Sequence, residues 1–497
     1  MRGHTILAAA VRRVRRLCRS GLAGLAGLAL GLGLGFALPA SPAAAQALPA
    51  DLQAAWKKTG LPLSALSLQV REVGGRNLLS VDAGSARNPA SVMKMVTTWA
   101  GLLGLGPEYR WRTGLLLDKG VQVDGQGSLA GPLYIRASGD PQLSVQDLWS
   151  LLRELRLRGI KNLSEVVIDR SIFGAVTIDT GAFDGEADRP YNASPDALMV
   201  GLGALRLFFY PDTEGRKWVA VPDPAIPGLQ LEGGLAWGTG ACPGPPRPRT
   251  RIDVRDGQAR IALEGEVAAG CDAFSAWRVA LDQPAYFAQV FRLLWRELGG
   301  TLARDIRDGT VPADARLVAW HDSPPLADLI RKVNKLSNNV MARNLLLSLG
   351  AAVKGPGATP ASGAQAALEL LAAEQVDVRG WFIDNGAGLS RSARLTAGGL
   401  ADMLDKAWHS PLMPEFVSSL AISGVDGTMR RRLGKSAARG MAHLKTGTLR
   451  DARALAGYVQ GRDGKRYILV SLVNHDQAIA ARVFEDALVA WLVARQD

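Results

Sequence analysis

The sequence predicts an α+β fold: one antiparallel sheet flanked by helices and interrupted by a large insertion. Near the N-terminus, residues 51–58 read as a short helix ended by Gly60, and residues 65–70 and 77–81 read as strands joined through Gly74-Gly75. Pro89 then precedes a helix that carries Ser91 and runs to about Leu103. At the far end, residues 441–445, 454–459 and 466–473 read as three strands, with turns at Gly461 and Asp463-Gly464. Residues 478–493 close the chain as a helix, with apolar Val483, Leu488, Trp491 and Leu492. Elements from the two ends must meet, and one sheet covered by helices satisfies that need.

Between them lies a long middle. Its first elements are strand-like residues 133–136, a helix over 145–157 and a strand over 165–168. Residues 218–268 are short strands rich in Gly, Pro and turn pairs such as Asp256-Gly257, and 284–298 is helical again. The predicted organisation is a leader over 1–45 and a first part of the main domain over 46–108. An insertion over 109–317 follows, with a nested β-rich unit at about 200–275, and 318–497 is the second part of the main domain. The composition, 47% hydrophobic and 21% charged over 497 residues, is ordinary for a globular protein with more than one core.

The leader has the layout of a secretory signal peptide. Arg2, Arg12, Arg13, Arg15, Arg16 and Arg19 make a basic start without an acid, residues 21–38 are apolar, and Ala43-Ala44-Ala45 offers a cleavage site. An uncleaved anchor is the alternative, since the apolar run is near bilayer length. The Gly-rich run ending at Pro39 and Pro42 favours cleavage near Ala45. Without those six arginines the net charge falls from +12 to +6. That excess suits an anionic wall polymer or peripheral contact with a membrane face, and equally an ordinary solvated surface. No basic cluster interleaved with aromatics points to nucleic acid. Cys18 leaves with the leader, and Cys242 and Cys271 remain as an even pair in an oxidising compartment. A disulfide between them is expected, the alternative being two separate thiols.

Three short motifs carry chemistry. A serine hydroxyl is a poor nucleophile unless a base takes its proton. In Ser91-Val92-Met93-Lys94 a lysine three residues on shares the serine's helix face, and a neutral amine there can act as that base. Of 13 lysines only Lys94 has a serine three before it, yet the pattern alone also fits a helix start with a solvated lysine. In Ser337-Asn338-Asn339, Ser337 can relay a proton to a leaving amine and Asn339 can hold a substrate backbone by its amide; a plain helix cap is the alternative. In Lys445-Thr446-Gly447-Thr448 a cation on a strand can bind a terminal carboxylate and keep Lys94 neutral. Gly447 admits the substrate backbone, and Thr448 can offer a backbone N–H to an oxyanion beside that of Ser91. Lys58-Thr59-Gly60 repeats the tripeptide but ends a helix, and reads as structural. There is no Gly-x-Ser-x-Gly elbow, metal-binding His-Glu-x-x-His, P-loop or dinucleotide fingerprint. His321, His409, His443 and His475 read as surface or core, and no cofactor or metal is expected.

The three motifs in this order are those of β-lactamases and penicillin-binding proteins. Nearly the whole mature chain resembles the low-molecular-mass class C penicillin-binding proteins, the D-alanyl-D-alanine carboxypeptidase/endopeptidases. Further likenesses are Asn88-Pro89-Ala90-Ser91, Ser138-Gly139-Asp140-Pro141, residues 384–391 (DNGAGLSR), residues 424–428 (GVDGT) and Leu455-Ala456-Gly457-Tyr458. The long step from Ser91 to Ser337 also fits the family's inserted domains. The resemblance implies a β-lactamase/DD-peptidase-like fold in the periplasm, with Ser91 as nucleophile, Lys94 as general base and Ser337 as relay. Asn339, Lys445, Thr446, Gly447 and Thr448 would hold the substrate. It also implies peptidoglycan stem peptides and cross-links as substrates, β-lactams as covalent inhibitors, and an insertion residue that senses the diaminopimelate side chain, for which Asp140 is the candidate. Ser138-Gly139 in place of two glycines, and Gly201-Leu202-Gly203 where relatives often carry asparagines, depart from the pattern. A β-lactamase or esterase of the same fold, and a catalytically silent peptidoglycan-binding protein, are the competing readings.

Overall fold

The structure is a computed structural model that describes residues 48–496, so the predicted leader over 1–45, with Cys18, lies outside the described residues. Helix α1 (Ala50–Lys57) leads to β1 (Leu66–Glu72), β2 (Asn77–Val81) and α2 (Met93–Leu105). The middle of the chain supplies β3 (Arg112–Leu117), β4 (Leu133–Arg136), α3 (Val145–Leu157), β5 (Val166–Asp169), β6 (Leu205–Asp212) and β7 (Lys217–Asp223). After short strands between 229 and 270 come β8 (Phe274–Arg278), α4 (Gln283–Glu297), β9 (Ile306–Asp308) and β10 (Arg316–Asp322). Helices α5 (Leu326–Lys335), α6 (Asn339–Lys354), α7 (Pro360–Ala373) and α8 (Ala397–His409) follow. The chain ends with β11 (Ala421–Ile422), β12 (Ala442–Thr448), β13 (Ala452–Gln460), β14 (Arg466–Asn474) and α9 (Arg482–Val493).

The main sheet is antiparallel throughout, in the order β2-β1-β14-β13-β12-β11. Its central strands read as continuous apolar runs because both faces are covered. On β13, Ala454, Ala456 and Tyr458 face the helices α2, α5, α6 and α8, while Leu455 and Val459 face α1 and α9. Strand β14 alternates likewise, Ile468, Val470 and Leu472 against Leu469 and Val473. Trp56 of α1 meets Phe484 of α9 edge to face at 5.0 Å, which joins the two ends of the chain. Helix α2 lies close on α6 and α7, because a Cβ at Gly104 would stand 2.5 Å from Leu349 and 2.8 Å from Leu370.

The middle of the chain forms a five-stranded mixed sheet, β9-β5-β4-β3-β10, and a three-stranded antiparallel sheet, β8-β6-β7. Among the short strands Cys242 and Cys271 form a disulfide. It closes a 29-residue separation, for which the chain-entropy argument gives about 3–4 kcal/mol. Where a single helix is predicted from Pro89 onward, residues Ala90–Val92 form a 3-10 turn and the α-helix begins at Met93. Among the described residues no helix is long and apolar enough to cross a membrane.

One buried ion cluster pins α9 to the sheet. The Glu485 carboxylate accepts from Arg453 of β13 and from Arg432, each at 3.0 Å, and Asp486 takes Arg432 at 2.7 Å. Glu485 is fully buried, and burial pushes its pKa up against the pull of both arginines. Removing one partner strands the others in a medium of low polarity. Glu485→Ala is therefore expected to cost about 3–5 kcal/mol of unfolding free energy in a chemical denaturation series. An unchanged transition would mean that Asp486 and water suffice for the two arginines.

Candidate active site

The segment before Ser91 is held from three sides. The Asn88 side chain accepts from the Ala90 N–H at 2.9 Å and donates to the Ser390 carbonyl at 2.8 Å. Its backbone exchanges hydrogen bonds with the Asn474 side chain at 2.8 and 3.0 Å. Ala90 is thereby fixed at φ 45°, a left-handed conformation costing about 1–3 kcal/mol in a residue with a Cβ. Two glycines make room for this bend. A Cβ at Gly388 would stand 1.8 Å from the Ala90 carbonyl oxygen. One at Gly447 would stand 2.7 Å from the Pro89 oxygen and 3.1 Å from the Ser91 nitrogen. Strand β12 can thus run directly against the backbone at Ser91.

Lys94 lies one helical turn after Ser91 and is completely buried. Its Nζ stands 3.0 Å from Ser91 Oγ, 2.6 Å from Asn339 Oδ1 and 2.5 Å from the Ala387 carbonyl oxygen. Two of these partners can only accept. A neutral amine has two N–H bonds and one lone pair, so with both N–H bonds committed the lone pair faces the Ser91 hydroxyl. Burial holds the Lys94 pKa well below the ordinary lysine range, and the cations of Lys445 and Arg343 lower it further.

Lys445 is the second buried lysine. Its Nζ donates to Ser337 Oγ at 2.9 Å and to the Thr446 carbonyl at 2.8 Å, and burial pushes its pKa down to about 7. Ser337 occupies the left-handed region, φ 58°, just outside α6, whose N-cap is Asn338. The capping role and the site role thus fall to neighbouring asparagines. Thr446 Oγ1 meets Thr428 Oγ1 at 2.9 Å, and Thr448 Oγ1 lies 3.4 Å from Arg453. The decoy Thr59 bonds the Trp56 carbonyl at 2.6 Å at the end of α1.

Two placements differ from expectation. Asn339 is already tied at both ends of its amide, Oδ1 to Lys94 and Nδ2 to the Tyr191 carbonyl at 3.2 Å. It ties Lys94 to the segment that carries Tyr191 rather than presenting a free amide. Asp140 is not brought to the site. It is buried behind α6, where the Gln142 N–H donates to one oxygen at 2.8 Å and the other lies 3.8 Å from His321. Burial pushes its pKa up to about 7.

The segment from the middle of the chain that packs on Asn339 and Arg343 carries several acids, Asp179, Asp184 and Glu186 among them, and Asp184 is the one bonded to Tyr191 and Asn192. Its carboxylate accepts from Tyr191 Oη at 2.9 Å and Asn192 Nδ2 at 2.8 Å, within the segment that Asn339 and Arg343 hold by backbone carbonyls. Burial opposes its charge, but the bonds from Asn192, the Glu186 N–H and Tyr191, with the field of Arg391, keep its pKa low. Neighbouring Phe183 lies 4.3 Å beneath the Arg391 guanidinium. A hollow of about 300 Å³ opens here, lined among others by Phe183, Asn192, Arg343, Asp384 and Arg391. These residues carried no motif of their own. Asp384 and Arg391 were visible only as the ends of residues 384–391.

An antiparallel sheet behind a helix-borne serine, with one buried lysine on the helix and another on the edge-side strand, is the arrangement of the DD-peptidase fold. The chain belongs to the family described as D-Ala-D-Ala carboxypeptidase 3 (S13), which matches residues 48–495. A D-alanyl-D-alanine carboxypeptidase of Actinomadura sp. (strain R39) is 29% identical over 435 residues, covering 84% of this chain and 79% of the relative. The carboxypeptidase DacB of Haemophilus influenzae is 26% identical over 394 residues, 78% of this chain and 80% of the relative. The crystal structure of penicillin binding protein 4 from Haemophilus influenzae superposes with a TM-score of 0.74 at 23% identity, over 89% of this chain and 99% of that one. A predatory peptidoglycan endopeptidase from Bdellovibrio bacteriovorus shares the fold with a TM-score of 0.51 at 16% identity, over 86% and 92% of the two chains.

The low pKa of Lys445 sets a pH limit. Lys445 is cationic below about pH 7 in the free protein and loses its charge above it. On a peptide ending in a carboxylate, kcat/KM is expected to fall as pH rises through about 7, and on the C-terminally amidated peptide that limb is expected to vanish. The same limb in both substrates would remove Lys445 from carboxylate recognition.

Proposed function

We propose that the protein is an exported serine DD-peptidase that cleaves D-Ala-D-Ala ends and peptide cross-links of peptidoglycan through an acyl-enzyme on Ser91. The observation that carries this reading is the Lys94 amine, with two fixed acceptors and its lone pair left for Ser91 Oγ. Ser91 Oγ attacks the carbonyl of the penultimate D-Ala while its proton passes to Lys94 Nζ. The backbone N–H groups of Ser91 and Thr448 take the oxyanion, and Lys445 binds the terminal carboxylate. Ser337, bonded to Lys445, relays the proton held by Lys94 to the departing amine as the C–N bond breaks, which leaves Lys94 neutral again. Water then enters and gives its proton to Lys94 as it attacks the ester, and Lys94 returns that proton to Ser91 Oγ as the ester C–O bond breaks and the free acid leaves.

Asp184 takes the place first given to Asp140, as the partner of a distal amine on the stem peptide. The disulfide between Cys242 and Cys271, together with the leader read from the sequence, supports a periplasmic setting. Cross-link cleavage is supported by the fold shared with the Bdellovibrio endopeptidase. An endopeptidase of that organism with the same fold is described as acylated by penicillin G, which supports β-lactams as covalent inhibitors here.

Digestion of purified muropeptides, read by mass, tests this directly. Wild type is expected to release D-Ala from pentapeptides and to split cross-linked dimers, and Ser91→Ala to do neither. A fluorescent penicillin is expected to leave a stable label on wild type alone, whereas fast turnover without label would favour a β-lactamase. Asp184→Asn is expected to lose about ten- to a hundredfold in preference for a stem peptide with a free distal amine over its N-acetylated form, as for one charged hydrogen bond. Equal preference in the variant and wild type would release Asp184 from that role.

A further inference from the structure

A second hollow, of about 600 Å³, is lined by none of the residues of the Ser91, Ser337 and Lys445 motifs. Its floor is apolar, including Leu143, Val145, Leu202, Val340 and Met341. At its mouth Trp277, Arg206 and Asp223 stand in one row across β8-β6-β7, with Arg206 and Asp223 paired at 2.8 Å. The Trp277 ring is half exposed, 49%, with no aromatic partner among the described residues. An indole here offers a flat apolar face beside charged groups at the edge of a concave surface.

The hollow also holds hydrogen-bond donors without acceptors. Tyr286 is 1% exposed, lines the hollow, and its Oη has no partner. Gln142 gives its Oε1 to Lys332 at 2.5 Å, which leaves its Nε2 unpaired. Arg206 Nε is unpaired as well. A buried donor left without an acceptor costs about 1–3 kcal/mol, so an acceptor brought within reach of these groups gains by pairing with them. A mostly apolar cavity with a few convergent polar groups is the usual form of a small-ligand site.

Its position points to the guest. Pro190 and Val340 line the hollow, and their chain neighbours Tyr191 and Asn339 belong to the active site. A four-residue stem, extended, spans about 13–14 Å from the scissile bond to the sugar that carries it. On the reading of peptidoglycan as substrate, the sugar lies about that far from Ser91, and this hollow adjoins the segments that carry Tyr191 and Asn339.

We propose that the hollow between β8-β6-β7, the 201–204 turn and the start of α6 binds an N-acetylated sugar of the glycan strand. The acetamido carbonyl accepts from Tyr286 or Gln142, its methyl rests on the apolar floor, and the sugar's C–H face lies on Trp277. The charged rim of Arg206, Asp223 and Lys332 meets the ring hydroxyls. An alkyl chain would leave every donor unpaired.

Calorimetry on the full chain carrying Ser91→Ala, with N,N′,N″-triacetylchitotriose as a peptide-free probe, tests the site independently of catalysis. Saturable binding is expected, weakened at least tenfold by Trp277→Ala and several-fold by Tyr286→Phe, which removes only the hydroxyl. In the catalytically intact protein, Trp277→Ala is expected to raise KM for a disaccharide-linked pentapeptide several-fold and to leave the free pentapeptide unchanged. No binding to the Ser91→Ala protein, equal binding after both substitutions, or Trp277-dependent binding of decanoate in place of the sugar would overturn the proposal. Failure to cleave either peptide, with sugar binding intact, would instead count against the peptidase reading.

Discussion

Two lysines without a carboxylate set the terms for the rest of this structure. Lys94 and Lys445 are both fully buried, and among the described residues neither forms an ion pair. A buried, unpaired ammonium is costly, so burial drives each toward its neutral form. At Lys94 the cations of Lys445 and Arg343 add to the effect of burial. The neutral amine that serine chemistry needs is therefore a product of packing, with no acid or metal required beside it. Helices α2 and α6, strand β12 and the loop at Ala387 enclose this pair, and the hydrogen bonds of Asn339 orient it.

Enclosing them requires local strain. Ala90 and Ser337 both adopt left-handed backbone, and Gly388 and Gly447 remove the atoms that would collide with the bend before Ser91. The remainder of the domain compensates with a two-faced apolar sheet and with the Glu485 ion cluster behind β13. Arg453 belongs to both worlds, bonded to Glu485 on one side and 3.4 Å from Thr448 on the other. Stability of the C-terminal helix and geometry of the site strand are thus linked through one side chain.

Much of this was legible in the sequence where chemistry restricts residue type. A base one turn from a serine, a cation on a strand and a glycine for close approach leave short fixed patterns, and the true Lys445 triplet could be told from Lys58 by its strand context. The paired termini were legible because both ends carry short apolar runs bounded by glycine turns. What escaped depends on the path of irregular chain. Asp140 sits in a recognisable turn, yet that turn packs behind α6, while Asp184 reaches the site on a segment with almost no regular structure. Asn339 has the expected identity, but its amide is filled by Lys94 and a backbone carbonyl, and backbone partners leave no trace in residue type.

The state of Lys94 bears on every step of the proposed chemistry and can be observed without substrate. The lysine ¹³Cε resonances of labelled protein, with Lys94→Arg used for assignment, can be followed from about pH 5 to pH 10. A Lys94 resonance already neutral at pH 7, with its midpoint far below the usual lysine value of about 10.4, is the expected result. A resonance that stays cationic through pH 7 and titrates near that ordinary value would contradict the account, because Ser91 would then have no base.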